Sequence, residues 1–205
     1  MPTYMLALLL MVNPYLFGVN HIGDQSSRVL LLRIFVSTYF LPAVAFVMLR
    51  LLWLIKSLEM HDRTERTGPY IITGIFYLWM FRNLIDNPQI PTAYTIFMLG
   101  ATIGLFMAFF INIFSKISAH AVGMGGLVAM VIITMLLFSY ETFTLQTAWF
   151  GILHFNMTVV LLAVVLVAGI VGTTRLWLHA HEPGEVYGGF AVGFLAQLIA
   201  LRVMY

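Results

Sequence analysis

Residues 92–138 read TAYTIFMLGATIGLFMAFFINIFSKISAHAVGMGGLVAMVIITMLLF. Two uncharged apolar runs, about 92 to 114 and 121 to 138, flank a polar island, Lys116-Ile117-Ser118-Ala119-His120. Each run approaches the roughly 20 residues that a helix needs to cross a hydrocarbon core about 30 Å thick. The pair therefore reads as a helical hairpin in a bilayer, with the island at one membrane face and a glycine-rich helix start, Gly123-Met124-Gly125-Gly126, just beyond it.

The rest of the chain extends the same pattern. Residues are 61% hydrophobic and only 9% charged, with a mean hydropathy of +0.98, against about 25% charged in an ordinary soluble domain. Since lipid offers the backbone no hydrogen-bond partners, the apolar stretches are expected as helices. Further stretches run about 3 to 19, 29 to 55, 69 to 86, 148 to 173 and 186 to 205. The expected fold is all-α, a polytopic integral membrane bundle of six to seven transmembrane helices.

The first stretch carries Asn13-Pro14 and has neither a basic leader nor a small-residue cleavage pattern, so it reads as a short or tilted span and not as a signal peptide. Turn-like segments lie at Asn20 to Ser27, Asp86 to Pro91, Ser139 to Gln146 and Glu182 to Gly184. With no repeat, low-complexity tract or linker, residues 1–205 are expected to form a single domain. A net charge of +2 with scattered charges leaves no basic tract for nucleic acid. The absence of cysteine excludes disulfides, thiol nucleophiles and thiolate metal sites.

The island has a counterpart near the end of the chain: Thr174-Arg175, then His181, then Glu185-Val186, then Gly188, Gly189 and Gly193. Arg175 and His181 are six positions apart, and Glu185 lies four beyond His181. A third polar segment carries Lys56, Glu59, Arg63 and Arg66. Two expected helices separate each polar segment from the next, so all three emerge on one membrane face. An arginine, a histidine and a carboxylate at one helix boundary, with a second histidine in the island, suit a site for an anion. Arg175 offers a planar fork for two oxygens, and the amides around Ala119 to Val122 sit at a positive helix end.

In these motifs the chain resembles the type 2 phosphatidic acid phosphatase family, whose signatures are Lys-x6-Arg-Pro, Pro-Ser-Gly-His and Ser-Arg-x5-His-x3-Asp. Thr174-Arg175-x5-His181-x3-Glu185 matches the third, with Thr for Ser and Glu for Asp. Ile117-Ser118-Ala119-His120 matches part of the second. Lys56-x6-Arg63 has the spacing of the first, with Thr64 in place of Pro.

The resemblance implies a membrane-embedded lipid phosphate phosphatase that works through a phosphohistidine and needs no metal or other cofactor. By that resemblance His181 is the nucleophile, Glu185 orients it, and His120 protonates the departing oxygen and later activates water. Arg175, Ser118, Ala119, Lys56 and Arg63 hold the phosphate, with Arg66 and Lys116 as substitutes. The expected partners are a membrane lipid phosphate and the bilayer; nothing in the sequence reads on oligomeric state. Glu185 in place of Asp moves the carboxylate by about 1.5 Å on an unchanged backbone, on the scale at which about 1 Å costs two orders of magnitude in rate.

Plainer readings stand beside these. Arg175, His181 and Glu185 also suit a helix end whose charges reach for headgroups. Ser118 suits a helix cap. Lys56, Glu59, Arg63 and Arg66 suit a solvated helix laced with ion pairs. His179 reads as a neighbour of the site, His61 as loop, and His154 as packing.

Six cations, Arg50, Lys56, Arg63, Arg66, Lys116 and Arg175, fall on the motif face, and Arg28, Arg33, Arg82 and Arg202 on the other. Setting aside the four in the motifs leaves two against four, which favours an outward-facing site, and the resemblance to the family's bacterial enzymes implies the same orientation in a bacterial inner membrane. Two other classes fit the composition. One is a catalytically weak or inactive relative that binds lipid phosphate or scaffolds a complex; the other is a small transporter whose His120, His154 and His181 line a path.

Overall fold

The computed structural model of the chain describes residues 1–19, 23–55, 64–138, 142–147 and 151–205. It is a helical bundle. The helices are α1 (Pro2–Val12), α2 (Gln25–Leu51), α3 (Thr67–Ile85), α4 (Thr92–Phe114), α5 (Ala119–Phe138), α6 (Met157–Trp177) and α7 (Pro183–Met204). Five of them, α2, α4, α5, α6 and α7, are long and apolar enough to cross a membrane. At 19 residues α3 is about 28 Å long, and Arg82 and Asn83 near its end lower its hydropathy. It nonetheless runs from the motif face to the opposite one, where Arg82 pairs with Asp86.

The first apolar stretch does not span. α1 has 11 residues, about 16 Å, and ends where Asn13-Pro14 turns the chain into a short 3-10 segment, Pro14–Phe17. Instead it packs into the bundle: Met5, Leu6, Leu9 and Leu10 are buried in one cluster with Met80, Tyr94, Phe97 and Met130. The Tyr94 hydroxyl donates to the Pro2 carbonyl at 3.2 Å.

The stretch expected as a helix from 148 is also revised. An antiparallel hairpin, β1 (Thr142–Thr147) with β2 (Gly151–Asn156), occupies that region, with Thr144 opposite His154. The helix begins only at Met157, where the Asn156 side chain accepts from the Thr158 amide at 2.8 Å. α6 then presents Leu162, Leu166 and Ile170 outward, as a lipid-facing helix does.

The glycines past the island lie inside α5 instead of starting it, and they set the seam with α7. A Cβ on Gly193 would fall 1.9 Å from the Val122 carbonyl oxygen, one on Gly125 2.2 Å from that of Phe190, and one on Gly189 2.9 Å from that of Ser118. Only hydrogen at these positions lets the two backbones approach so closely, the packing mode of small residues in membrane helices. Gly188 faces open space. This seam holds the island and the start of α7, with Glu185, together.

Candidate active site

The island, the start of α3 and the α6–α7 connection converge on one face. The Ser118 amide donates to the Glu185 carbonyl at 3.3 Å. Lys116 Nζ donates to the Ala180 carbonyl at 3.1 Å, and an Arg66 guanidinium nitrogen donates to the Ile117 carbonyl at 3.3 Å. Three segments far apart in the chain are thus tied by hydrogen bonds, in line with the expectation that they share a face.

α6 ends in a Schellman motif. His179 takes a left-handed conformation, φ 49°, where glycine is usual. Its amide donates to the Leu176 carbonyl and that of Ala180 to the Arg175 carbonyl, at 3.0 and 3.2 Å. The reversal leaves Arg175 in the last helical turn and His181 three residues beyond the cap. α7 then begins at Pro183 with a capping box: the Glu182 amide donates to Glu185 Oε2 at 3.3 Å while the Glu182 side chain accepts in return.

The same Oε2 lies 2.6 Å from His181 Nδ1. Because a carboxylate can only accept, Nδ1 carries the proton, and in the neutral ring Nε2 keeps its lone pair. The extra methylene of Glu185 therefore does not prevent the contact: the carboxylate reaches both its own helix start and the imidazole. Both side chains are largely enclosed, 7% exposed for His181 and 17% for Glu185. Burial holds the His181 pKa below its usual range, the Glu185 hydrogen bond and charge oppose that, and Arg66 and Lys116 add to the lowering.

His120 is the second residue of α5 and is exposed. Arg175, His181 and Arg66 all act on it electrostatically, which places two histidines within one field of cations. Ser118 is fully buried, and its hydroxyl caps α5 by accepting from the Ala121 amide at 3.4 Å. The amides of Ala119 and His120, first in the helix, have no intrahelical acceptor and stand beside His120 at the positive helix end. Among the described residues Arg175 has no hydrogen-bonded side-chain partner.

Of the expected site residues, the structure brings together His181, Glu185, Ser118, Ala119, Arg66 and Lys116, with His120 and Arg175 in the same electrostatic neighbourhood. Lys56 and Arg63, like His61, lie outside the described residues. Arg66 and Lys116, named only as substitutes in the sequence, are the first-segment and island cations seen bonded into the cluster. Tyr70, one helical turn beyond Arg66, reads in the sequence only as an aromatic of the membrane interface. Its hydroxyl is buried without a partner among the described residues. The arrangement can attract an anion, hold it on guanidinium and amide donors, and present a neutral imidazole nitrogen to it. Comparison with protein-family models, with curated proteins and with solved structures gives no match to this chain.

Proposed function

We propose that the protein is an integral membrane phosphatase that removes phosphate from a lipid through a phosphohistidine on His181, without a metal, as its resemblance to type 2 phosphatidic acid phosphatases implies. The single observation that carries the reading is the 2.6 Å contact of His181 with Glu185 inside the cluster of Arg66, Lys116 and Arg175. A carboxylate on one imidazole nitrogen fixes the tautomer and offsets the positive charge that the ring acquires when its other nitrogen attacks.

In the first step His181 Nε2 attacks phosphorus, the bond from phosphorus to the lipid oxygen breaks, and protonated His120 gives its proton to that oxygen. In the second, neutral His120 takes a proton from water, the hydroxide attacks phosphorus, and the phosphorus–nitrogen bond breaks, returning the electron pair to His181 as phosphate leaves. Arg175, Arg66 and the amides of Ala119 and His120 hold the three non-bridging oxygens through the transition state. Ser118 serves mainly by setting the helix start. The substrate is a phosphomonoester or diphosphate of a membrane lipid, whose tails stay in the bilayer while its headgroup meets this face. By the charge count the face is outward, and the resemblance implies a bacterial inner membrane.

A specific observation favours a second reading, in which the chain binds lipid phosphate without turnover: Glu185 is also a helix cap and Ser118 is another, so both have structural work of their own. Phosphate release from a panel of lipid phosphates in detergent with excess chelator separates the two. The proposal expects release by wild type, lost in His181→Ala and His120→Ala. Binding of the same lipids by folded wild type with no release supports the second reading.

A further inference from the structure

Beside the cluster a narrow cavity of about 120 Å³ opens between α3, α4, α5 and α7. Its lining starts at Ala119, next to His120, and at Tyr70, one turn from Arg66. Its lining on α4 runs from Ala108 to Phe97 and includes Gln197 of α7, which is buried with its amide nitrogen 3.4 Å from the Phe97 carbonyl. Glycines and alanines form much of the wall, including Ala101, Gly104 and Gly123. The bilayer is the surrounding solvent, and a cavity of this size and lining takes hydrocarbon more readily than water, which needs several polar partners.

The polar side chains of the wall are those of Tyr70, Tyr77 and Gln197, and Met1 also lines it. The Tyr70 hydroxyl, on a residue 7% exposed, and the Gln197 side-chain oxygen both lack a partner among the described residues. A buried hydroxyl left unpaired is costly. At the mouth, a hydroxyl one turn from a phosphate-binding arginine is positioned for the first polar linkage below a phosphate: an ester carbonyl or an ether oxygen.

We infer that this cavity admits the first few carbons of one hydrocarbon chain of the lipid phosphate, entering beneath the anion site, with Tyr70 meeting the linkage and the rest of the chain passing out into the surrounding lipid. The inference rests on the reading of the cluster as a phosphate site. It makes the bundle interior part of substrate recognition: the cluster takes the phosphate, the slot takes the start of one chain, and a second chain stays in the surrounding lipid. The volume leaves no room for two.

Photolabelling tests it in phosphatidylcholine vesicles, with the His181→Ala protein to hold the lipid. The probes are phosphatidic acid and phosphatidylcholine carrying a diazirine at the same position within the first few carbons of the chain. The expected result is labelling of peptides within residues 97–108 and 122–126 at least ten-fold stronger with the phosphatidic acid probe. Adding Gly123→Leu lowers that labelling about ten-fold while the outward residues of α6 label as before. A Cβ at Gly123 meets only the Met1 side chain, at 3.0 Å, so the substitution spares the α5–α7 seam. Ala101→Leu, on the facing wall, gives the same result should the first variant fail to elute as a single folded species. Labelling confined to outward faces, or equal labelling of the slot by both probes, overturns the inference. Slot labelling together with no hydrolysis by wild type keeps the slot and removes the phosphatase; hydrolysis without slot labelling removes the slot alone.

Discussion

His181 carries the chemistry because three influences on one ring oppose each other. Burial disfavours its charged form, Glu185 favours it, and Arg66 and Lys116 again disfavour it, with lowering the net result. A nucleophile must be neutral. Activity governed by His181 is therefore fully present near and above the usual histidine value of 6.5, and it falls only as pH drops through a lower value in the folded protein. The acid limb of kcat/KM is expected below 6.5. Glu185→Gln removes the hydrogen bond to a charged acceptor and its negative field, both of which raise the pKa. That variant should move the acid limb to still lower pH and cut kcat on the order of 10² to 10⁴-fold. An acid limb that moves upward would contradict the assigned roles. The Glu185 contact was legible as a spacing of four, but its second bond was not: the N-cap it reaches is Glu182, and glutamate there is outside the usual Ser, Thr, Asp and Asn set.

At the scale of elements, the site depends on two devices: the α5–α7 glycine seam and the cap that ends α6. Gly193→Ala places a methyl 1.9 Å from a backbone oxygen, which no side-chain rotation relieves. Overpacking of this kind costs about 1 to 3 kcal/mol or more, and phosphate release should fall with it. Gly188→Ala, in open space within α7, should leave activity as it is and hold or raise the melting temperature, so equal losses from the two substitutions would contradict the seam. His179→Gly relieves a left-handed non-glycine cap worth about 1 to 2 kcal/mol, and part of that should appear as a raised melting temperature. The long apolar runs were readable because composition and length alone decide them. The hairpin was not: β1 alternates Phe143 and Leu145 with Thr142, Thr144 and Gln146 inside a segment that reads as a turn, and β2 opens a stretch that reads as helix, each too short for its period to mark a strand. The glycines of α5 were legible as a group, while their role came from the partner helix, which the local sequence does not specify. Arg66 was likewise hidden, since its tie to Ile117 joins residues 51 apart.

Across the whole molecule, the convergence of three polar segments on one face requires an even number of crossings between each pair, and α3 is the helix on which the first interval depends. The chain contains no cysteine, so single cysteines report sidedness without background. Ser115→Cys and Glu182→Cys should react with an impermeant maleimide from the same side of sealed vesicles, and Gln89→Cys only from the other. Labelling of Ser115→Cys and Glu182→Cys from opposite sides would break the site apart. The same vesicles assign the site to one membrane face, with outward expected. The central claim, that His181 takes the phosphoryl group, is tested most directly by trapping it. His120→Ala protein is mixed with a ³²P-labelled lipid phosphate bearing a good leaving group and quenched in alkali. The account predicts label that is stable to base, labile to acid, mapped by peptide sequencing to His181 and absent from the His120→Ala/His181→Ala protein. Label on another residue, or no label from an enzyme that nevertheless releases phosphate, would contradict it.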